Sequence, residues 1–191
     1  MILLCDTCSV LMLIRIAPDM FIDDRFECVT IRKVCDEIIQ TQKFKTKYPW
    51  YRKYKAKIIP LGATIEDTPS VQTIYKIIHN MIETSEVVNT KTGRLFDLSY
   101  TDKKIAACAK ALNYAVSTAE YDLTDFLIQQ FDLKVLKPLT IINYWLRKGL
   151  IKWDDEKQAV LEDWLVCNET PQDKRQIREF TKLTKQKYPG P

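Results

Sequence analysis

Asp6, Glu37, Asp102 and the pair Glu120/Asp122 are the residues of this chain best placed to do chemistry. Asp6 follows MILLC, Glu37 lies in VCDEII, Asp102 closes LSYTD, and Glu120 and Asp122 end STAEYD. Each falls where a strand or helix should begin or end. Their separation along the chain excludes a single helix face. If the fold brings them together, the carboxylates cannot all stay ionised side by side without a cation. Oxygen ligands suit a hard divalent ion, Mg²⁺ or Mn²⁺.

The acids do not carry equal weight. Asp6 interrupts the apolar run MILLCDTCSVLML, and a carboxylate in or beside a core needs a partner or a metal. Pairing with Lys or Arg is the plain alternative, and burial in a cleft favours function. Glu37 and Asp36 both flank the apolar face Ile31/Val34/Cys35/Ile38, and the periodicity does not choose between them. Asp102 stands three residues after Ser99, the spacing of a capping box, which is compatible with a second role. Asp122 is available to cap a helix over Leu123–Gln130, which leaves Glu120 as the stronger site candidate.

The elements that must position these residues alternate. Ile2–Cys5, Phe26–Thr30, Ala115–Thr118 and Lys134–Leu136 read as strands, the first unbroken and apolar as in a parallel sheet buried on both faces. Helices are expected around Val10–Ile16, from Ile31 to Ile39 with Thr30 as cap, and over Pro69–Thr84. Others should open at Ser99, cover Leu123–Gln130 and start near Ile141. NTKTG marks a loop within 89–97. Such alternation indicates an α/β domain with a mainly parallel sheet, whose ligands bind beyond the carboxyl ends of the strands. Asp6 and Glu120/Asp122 stand at those ends. Asp154–Val166 and Pro171–Tyr188 read as two further helices, the second opened by Thr170-Pro171.

Composition narrows the classes. Four glycines and the absence of GxGxxG or a Walker sequence argue against a glycine-rich phosphate loop. One histidine, His79, disfavours both a zinc site and histidine acid–base ribonuclease chemistry. The six cysteines read as reduced thiols in a chain with no secretory leader, so a cytoplasmic location without membrane insertion is expected. The net charge of +4 does not by itself demand nucleic acid, but its distribution is uneven. KFKTKYPWYRKYKAK, residues 43–57, holds seven basic and five aromatic residues. Its Lys45, Lys47, Arg52 and Lys53 are candidates for phosphate contact, with the aromatics either stacking on bases or packing on the core. Lys174, Arg175, Arg178, Lys182, Lys185 and Lys187 form a second basic set, beside Ile177, Phe180 and Leu183, which should dock the last helix.

In order and spacing these motifs resemble the PIN-domain ribonucleases over residues 1–145. LLCDTCSVL resembles the family's buried strand ending in Asp and followed by Thr/Ser-type residues. VCDEII resembles its Glu on the helix after strand two, which selects Glu37. LSYTDKKIAACAKAL resembles its Leu-Ser-x-x-Asp at the start of an alanine-rich helix. Thr118-Ala-Glu-Tyr-Asp-Leu resembles its Thr-x-Asp-x-Asp-aromatic element. Two departures stand out: Glu120 replaces the usual Asp, and Cys8 occupies a position where Asn or Ser is common. A phosphatase-type enzyme would instead need a second Asp two residues after the nucleophile, where this chain has Cys8.

The resemblance implies a three-layer α/β/α fold with a mainly parallel central sheet, plus C-terminal helices. It implies a nuclease domain over 1–150, with 151–191 as a helical extension packed on it. The implied activity is metal-dependent cleavage of RNA phosphodiester bonds. Asp6, Glu37, Asp102 and Glu120 would be the catalytic ligands of Mg²⁺ or Mn²⁺, Asp122 an auxiliary metal-facing acid, and Thr7, Ser9 and Thr118 the residues orienting a water or a carboxylate. Such ribonucleases include toxins of toxin–antitoxin pairs and RNA-processing enzymes, so a protein antitoxin and a homodimer join RNA as implied partners. The alternative is a non-catalytic PIN-like module that binds RNA or protein.

Overall fold

The computed structural model describes residues 1–62, 64–84, 87–169, 171 and 173–190. Four short strands form its sheet: β1 (Leu3–Cys5), β2 (Cys28–Val29), β3 (Ala115–Ser117) and β4 (Val135–Leu136). Their order is β2-β1-β3-β4, and every pairing is parallel. Leu3 pairs with both Cys28 and Ala115, and Cys5 with Ser117. Leu4, Cys5 and Val116 are fully buried, as central strands covered on both faces must be.

Among the described residues nine α-helices surround the sheet: α1 (Thr7–Leu13), α2 (Arg32–Gln40), α3 (Gln42–Lys47), α4 (Pro69–Glu83), α5 (Tyr100–Leu112), α6 (Tyr121–Phe131), α7 (Pro138–Arg147), α8 (Asp155–Val166) and α9 (Lys174–Thr184). From β1 the chain moves outward to β2, then crosses back to β3 and on to β4. Right-handed crossovers therefore place α1 on one face and α5 and α6 on the other. The packing follows: α1 meets α7, and α5 meets α6. The strand order reverses between β1 and β3, which makes their carboxyl ends the switch point of the sheet.

Several boundaries differ from the sequence reading, each for a local reason. Helix α1 starts at Thr7 because Asp6 itself is its N-cap. Strand β2 is shortened by a 3₁₀ turn at Asp24–Phe26, followed by Glu27 in the left-handed region at φ 53°. Thr30 does not cap α2; its hydroxyl donates to the Cys5 carbonyl at 2.9 Å, tying β2 to the end of β1. The NTKTG turn closes a small antiparallel bridge, Val88 to Leu95, with Gly93 at φ 69°. Helix α9 is capped by Asp173 and is shorter than expected, while Thr170 lies outside the described residues.

The C-terminal helices dock firmly. Helix α9 packs on α7, where the Asn143 amide donates to the carbonyl and the side chain of Gln176, each at 2.9 Å. Phe180 is fully buried, edge-on to Trp153 at 4.7 Å and to Tyr188 at 5.6 Å. Truncating Phe180 to alanine is expected to cost about 3–5 kcal/mol. Urea unfolding should show a lower midpoint at an unchanged slope; an unchanged midpoint would mean that the helix contributes nothing to the fold. Among the described residues no helix is long and apolar enough to cross a membrane.

Candidate functional site

The switch point is built from two strand exits. Asp6 leaves β1 and its amide donates to the Ser117 carbonyl at 3.0 Å, so the two exits are held side by side. As N-cap of α1, the Asp6 carboxylate accepts the Ser9 amide at 2.7 Å. The Ser117 hydroxyl donates to the Ser9 hydroxyl at 2.8 Å, both fully buried. Thr118 accepts the Glu120 amide on its hydroxyl oxygen at 3.0 Å, which bends the chain into α6. Glu120 occupies the N-cap position of α6, yet its carboxylate makes no capping bond. It turns instead toward Asp6 and Cys8, and ligand atoms of these three residues lie within 4.8 Å of one another.

Asp6 is only 3% exposed and has no ion-pair partner among the described residues. Burial pushes its carboxyl up from 3.8 to about 7, and the charge of Glu120 adds to the rise. Hydrogen bonds from Thr118 and Ser9 pull in the other direction and are outweighed.

Glu37 and Asp102 lie outside this group of three. The Thr7 hydroxyl donates to Glu37 at 2.6 Å, which fastens α2 to the turn after β1. Asp36 points away and lines a separate cleft with Arg32, Tyr51 and Lys55, so the helix face that periodicity left open is settled by tertiary packing. Asp102 plays the capping role in full: Ser99 accepts its amide at 3.1 Å, and its own carboxylate accepts the Ser99 amide at 3.0 Å. Its carboxyl is nonetheless pushed up to about 6, first by burial and then by the charges of Glu120 and Glu37. Repulsion therefore links Glu120 to Asp6, Glu120 to Asp102, and Glu37 to Asp102. Asp6 and Glu120 thus share one ligand-sized group, while Asp102 and Glu37 lie outside it and are tied to it by charge alone.

No family model, curated protein or solved structure matches this chain.

The chemistry of the cluster must then carry the functional reading. The Cys8 thiol donates to Glu120 at 3.3 Å and is pushed far up, first by burial and then by the charges of Asp6 and Glu120. Without a metal it is held as a neutral thiol, the form that ligates a metal poorly. The remaining donors are carboxylate oxygens, the set that suits Mg²⁺ or Mn²⁺. Asp122 stands apart from Asp6, Cys8 and Glu120: it accepts the Asp97 amide at 3.3 Å and so fastens the segment leading into α5.

Lys137 was not singled out by the sequence. It follows β4 and precedes Pro138, and its ammonium donates to Thr124 Oγ1 at 2.7 Å and to the carbonyls of Ala119 and Glu120 at 3.2 and 3.3 Å. Burial lowers its pKa more than the nearby charges of Asp6, Asp125 and Glu120 raise it. The signal that could have found it is the strand-end rule that found Asp6 and Glu120, applied to β4.

The basic aromatic segment is folded onto the protein. Phe44, Tyr48, Trp50 and Tyr54 form a ladder of ring contacts at 6.2, 5.7 and 5.9 Å, and Arg15 lies over Trp50 at 5.1 Å. Tyr48 and Tyr51 are buried. Lys47 pairs with Glu169, which also accepts the Tyr48 hydroxyl at 2.7 Å. Lys45 is half-buried, while Arg52 and Lys53 stay exposed. Packing accounts for the aromatics of this segment, and only its outer cations remain available for phosphates.

Proposed function

We propose that this protein is a metal-dependent ribonuclease of PIN type. The observation that carries the reading is the approach of Asp6 and Glu120 at the switch point, with buried Asp6 lacking a cationic partner among the described residues and the charges of Glu120 and Glu37 raising the Asp102 carboxyl. The resemblance of the ordered sequence motifs to those of PIN-domain ribonucleases supports it. Asp6 and Glu120 would be the inner ligands of a divalent ion, with Asp102 and Glu37 adding negative charge around it. Held there, Mg²⁺ or Mn²⁺ supplies a water of lowered pKa and a positive charge for the phosphate oxygens.

The chain's own groups prepare the cluster. Thr7 fixes the rotamer of Glu37, Ser99 fixes Asp102, and Ser9 fixes Asp6. Lys137 holds the Ala119–Glu120 backbone in place. A phosphodiester laid across four carboxylates would be repelled unless the metal neutralised them first, so cleavage should depend strictly on the ion.

The test is cleavage of a single-stranded RNA with Mn²⁺ by the wild type and by Glu120→Gln. The wild type should cut and lose all cutting in EDTA, and Glu120→Gln should fall by about 10²-fold or more. Equal cutting by both proteins would sink the reading. A second reading, a non-catalytic module of the same fold, is favoured by one observation: the Cys8 thiol already occupies an oxygen of Glu120. Mn²⁺ binding without turnover would select it.

A further inference from the structure

Beside the acidic cluster the C-terminal helices close a cleft of about 540 Å³, within the range of roughly 300–1,000 Å³ common for small-ligand sites. Ala119 and Tyr121, the residues before and after Glu120, both line it, as does Lys137. Its walls are apolar, with Met12, Leu139 and Trp164 among them, and Tyr121, 63% exposed, is an aromatic on this lining. Thr140, Asn168 and Gln176 supply neutral hydrogen-bonding groups. Two carboxylates, Glu169 and Asp173, also face it; the first is held by Lys47 and Tyr48, the second by the amides of Arg175 and Gln176. An apolar slot with neutral polar groups and carboxylate acceptors suits a flat ring bearing amino and imino groups. The same carboxylates disfavour a phosphate inside the cleft.

Cations suited to phosphates lie one helix width from the cleft, on the side of α9 opposite Gln176. Helix α9 contributes Asp173 and Gln176 to the cleft, and its outer face carries Lys174, Arg178 and Lys182 at successive i, i+4 positions, with Arg175 alongside. All four are exposed, and none forms an ion pair among the described residues. The stripe is about 12 Å long at the rise of an α-helix.

We infer that the cleft seats an unpaired base of the RNA strand next to the scissile phosphate, and that the α9 stripe carries the backbone leading away from it. This rests on the ribonuclease reading and extends it: the C-terminal helices, not the basic aromatic segment, form the surface that binds the strand. Base stacking on the exposed Tyr121 with backbone neutralisation along α9 is the usual division of labour in single-strand binding.

The test measures binding of a fluorescein-labelled single-stranded RNA of mixed sequence in Mn²⁺, read by stopped flow before cleavage proceeds. Three proteins are compared: the wild type, Thr140→Trp to fill the cleft, and the fourfold variant Lys174→Gln, Arg175→Gln, Arg178→Gln, Lys182→Gln. Each variant should bind at least about tenfold more weakly, base stacking alone carrying that much. The fourfold variant should also flatten the slope of log K against log salt by about 3, at roughly 0.7 per phosphate contact. Mn²⁺ binding should be unchanged in both. Should Thr140→Trp fail to fold, photocrosslinking of a 4-thiouridine RNA to the wild type should mark Tyr121. Wild-type protein that binds and cleaves RNA while both variants match it would overturn this inference alone and leave the cleft to another occupant, such as a peptide. Crosslinks confined to residues 43–57 would overturn it equally. Wild-type protein that neither binds nor cleaves RNA would remove the ribonuclease reading with it.

Discussion

Replacing Asp6 with asparagine should abolish Mn²⁺-dependent RNA cleavage and at the same time stabilise the metal-free protein. The loss of activity is expected to be at least about 10²–10³-fold, since the variant removes the most buried charge of the cluster. The gain in stability comes from the same burial. Asp6 is 3% exposed, and its carboxyl is pushed up to about 7 by desolvation. Keeping it ionised in the folded state at pH 8 costs on the order of 4 kcal/mol relative to the unfolded chain. Asparagine carries no charge to desolvate and caps a helix about as well as aspartate, so it can still accept the Ser9 amide. In EDTA at pH 8 its melting temperature should exceed that of the wild type by several degrees, about 2–4 °C for each kcal/mol in a chain of this size. A variant that loses activity and stability together would show that Asp6 is structural.

The second large effect is on the pH dependence of stability. Asp6 titrates near 7 and Asp102 near 6 in the folded protein, against 3.8 for an ordinary aspartate. Both values are raised, so between these limits the folded state holds protons that the unfolded chain has released. The stabilisation is fully present below about pH 3.8 and is lost as pH rises through 6 and then 7. Metal-free protein should therefore become less stable from pH 5 to pH 8. The depressed carboxyls of Glu83, Asp125 and Asp154, all with lysine partners, act with the opposite sign below pH 4 and leave this window intact. Divalent metal should reverse the trend, because it binds the ionised cluster of the folded state. At one hundred times its dissociation constant it adds about 2.7 kcal/mol. Thermal melts at pH 5 and pH 8, with EDTA and with Mn²⁺, give the comparison. A flat profile in EDTA would contradict the buried charge.

The sequence made Asp6 legible because a single carboxylate in a long apolar run has few innocent explanations, and Glu120 because it follows a strand. Asp102 was legible as a cap, and Ser99 satisfies that role while the carboxyl still faces the other acids. The choice between Glu37 and Asp36 was not available from periodicity. Adjacent positions flank a helix face alike, and only the docking of α2 against the β1–α1 turn separates them. The family resemblance chose Glu37, which accepts the Thr7 hydroxyl, while Asp36 lines a separate cleft. Asp122 was read as a metal-facing acid, yet its observed partner is the Asp97 amide, a contact between segments that no local pattern encodes. The basic aromatic segment stayed open for a similar reason: aromatics that pack on one another and aromatics that await a base have the same composition. Lys137 was hidden because a lysine before a proline looks like an ordinary helix entry until β4 is placed beside β3.

Calorimetric titration of Mn²⁺ into metal-free wild type and Asp6→Asn at pH 7.5 tests the carboxylate site most directly. The wild type should bind the ion with release of protons, since Asp6 is partly protonated at that pH, and Asp6→Asn should bind it at least about tenfold more weakly. No binding by the wild type, or equal binding by both proteins, would contradict a metal centre at the β1/β3 switch point.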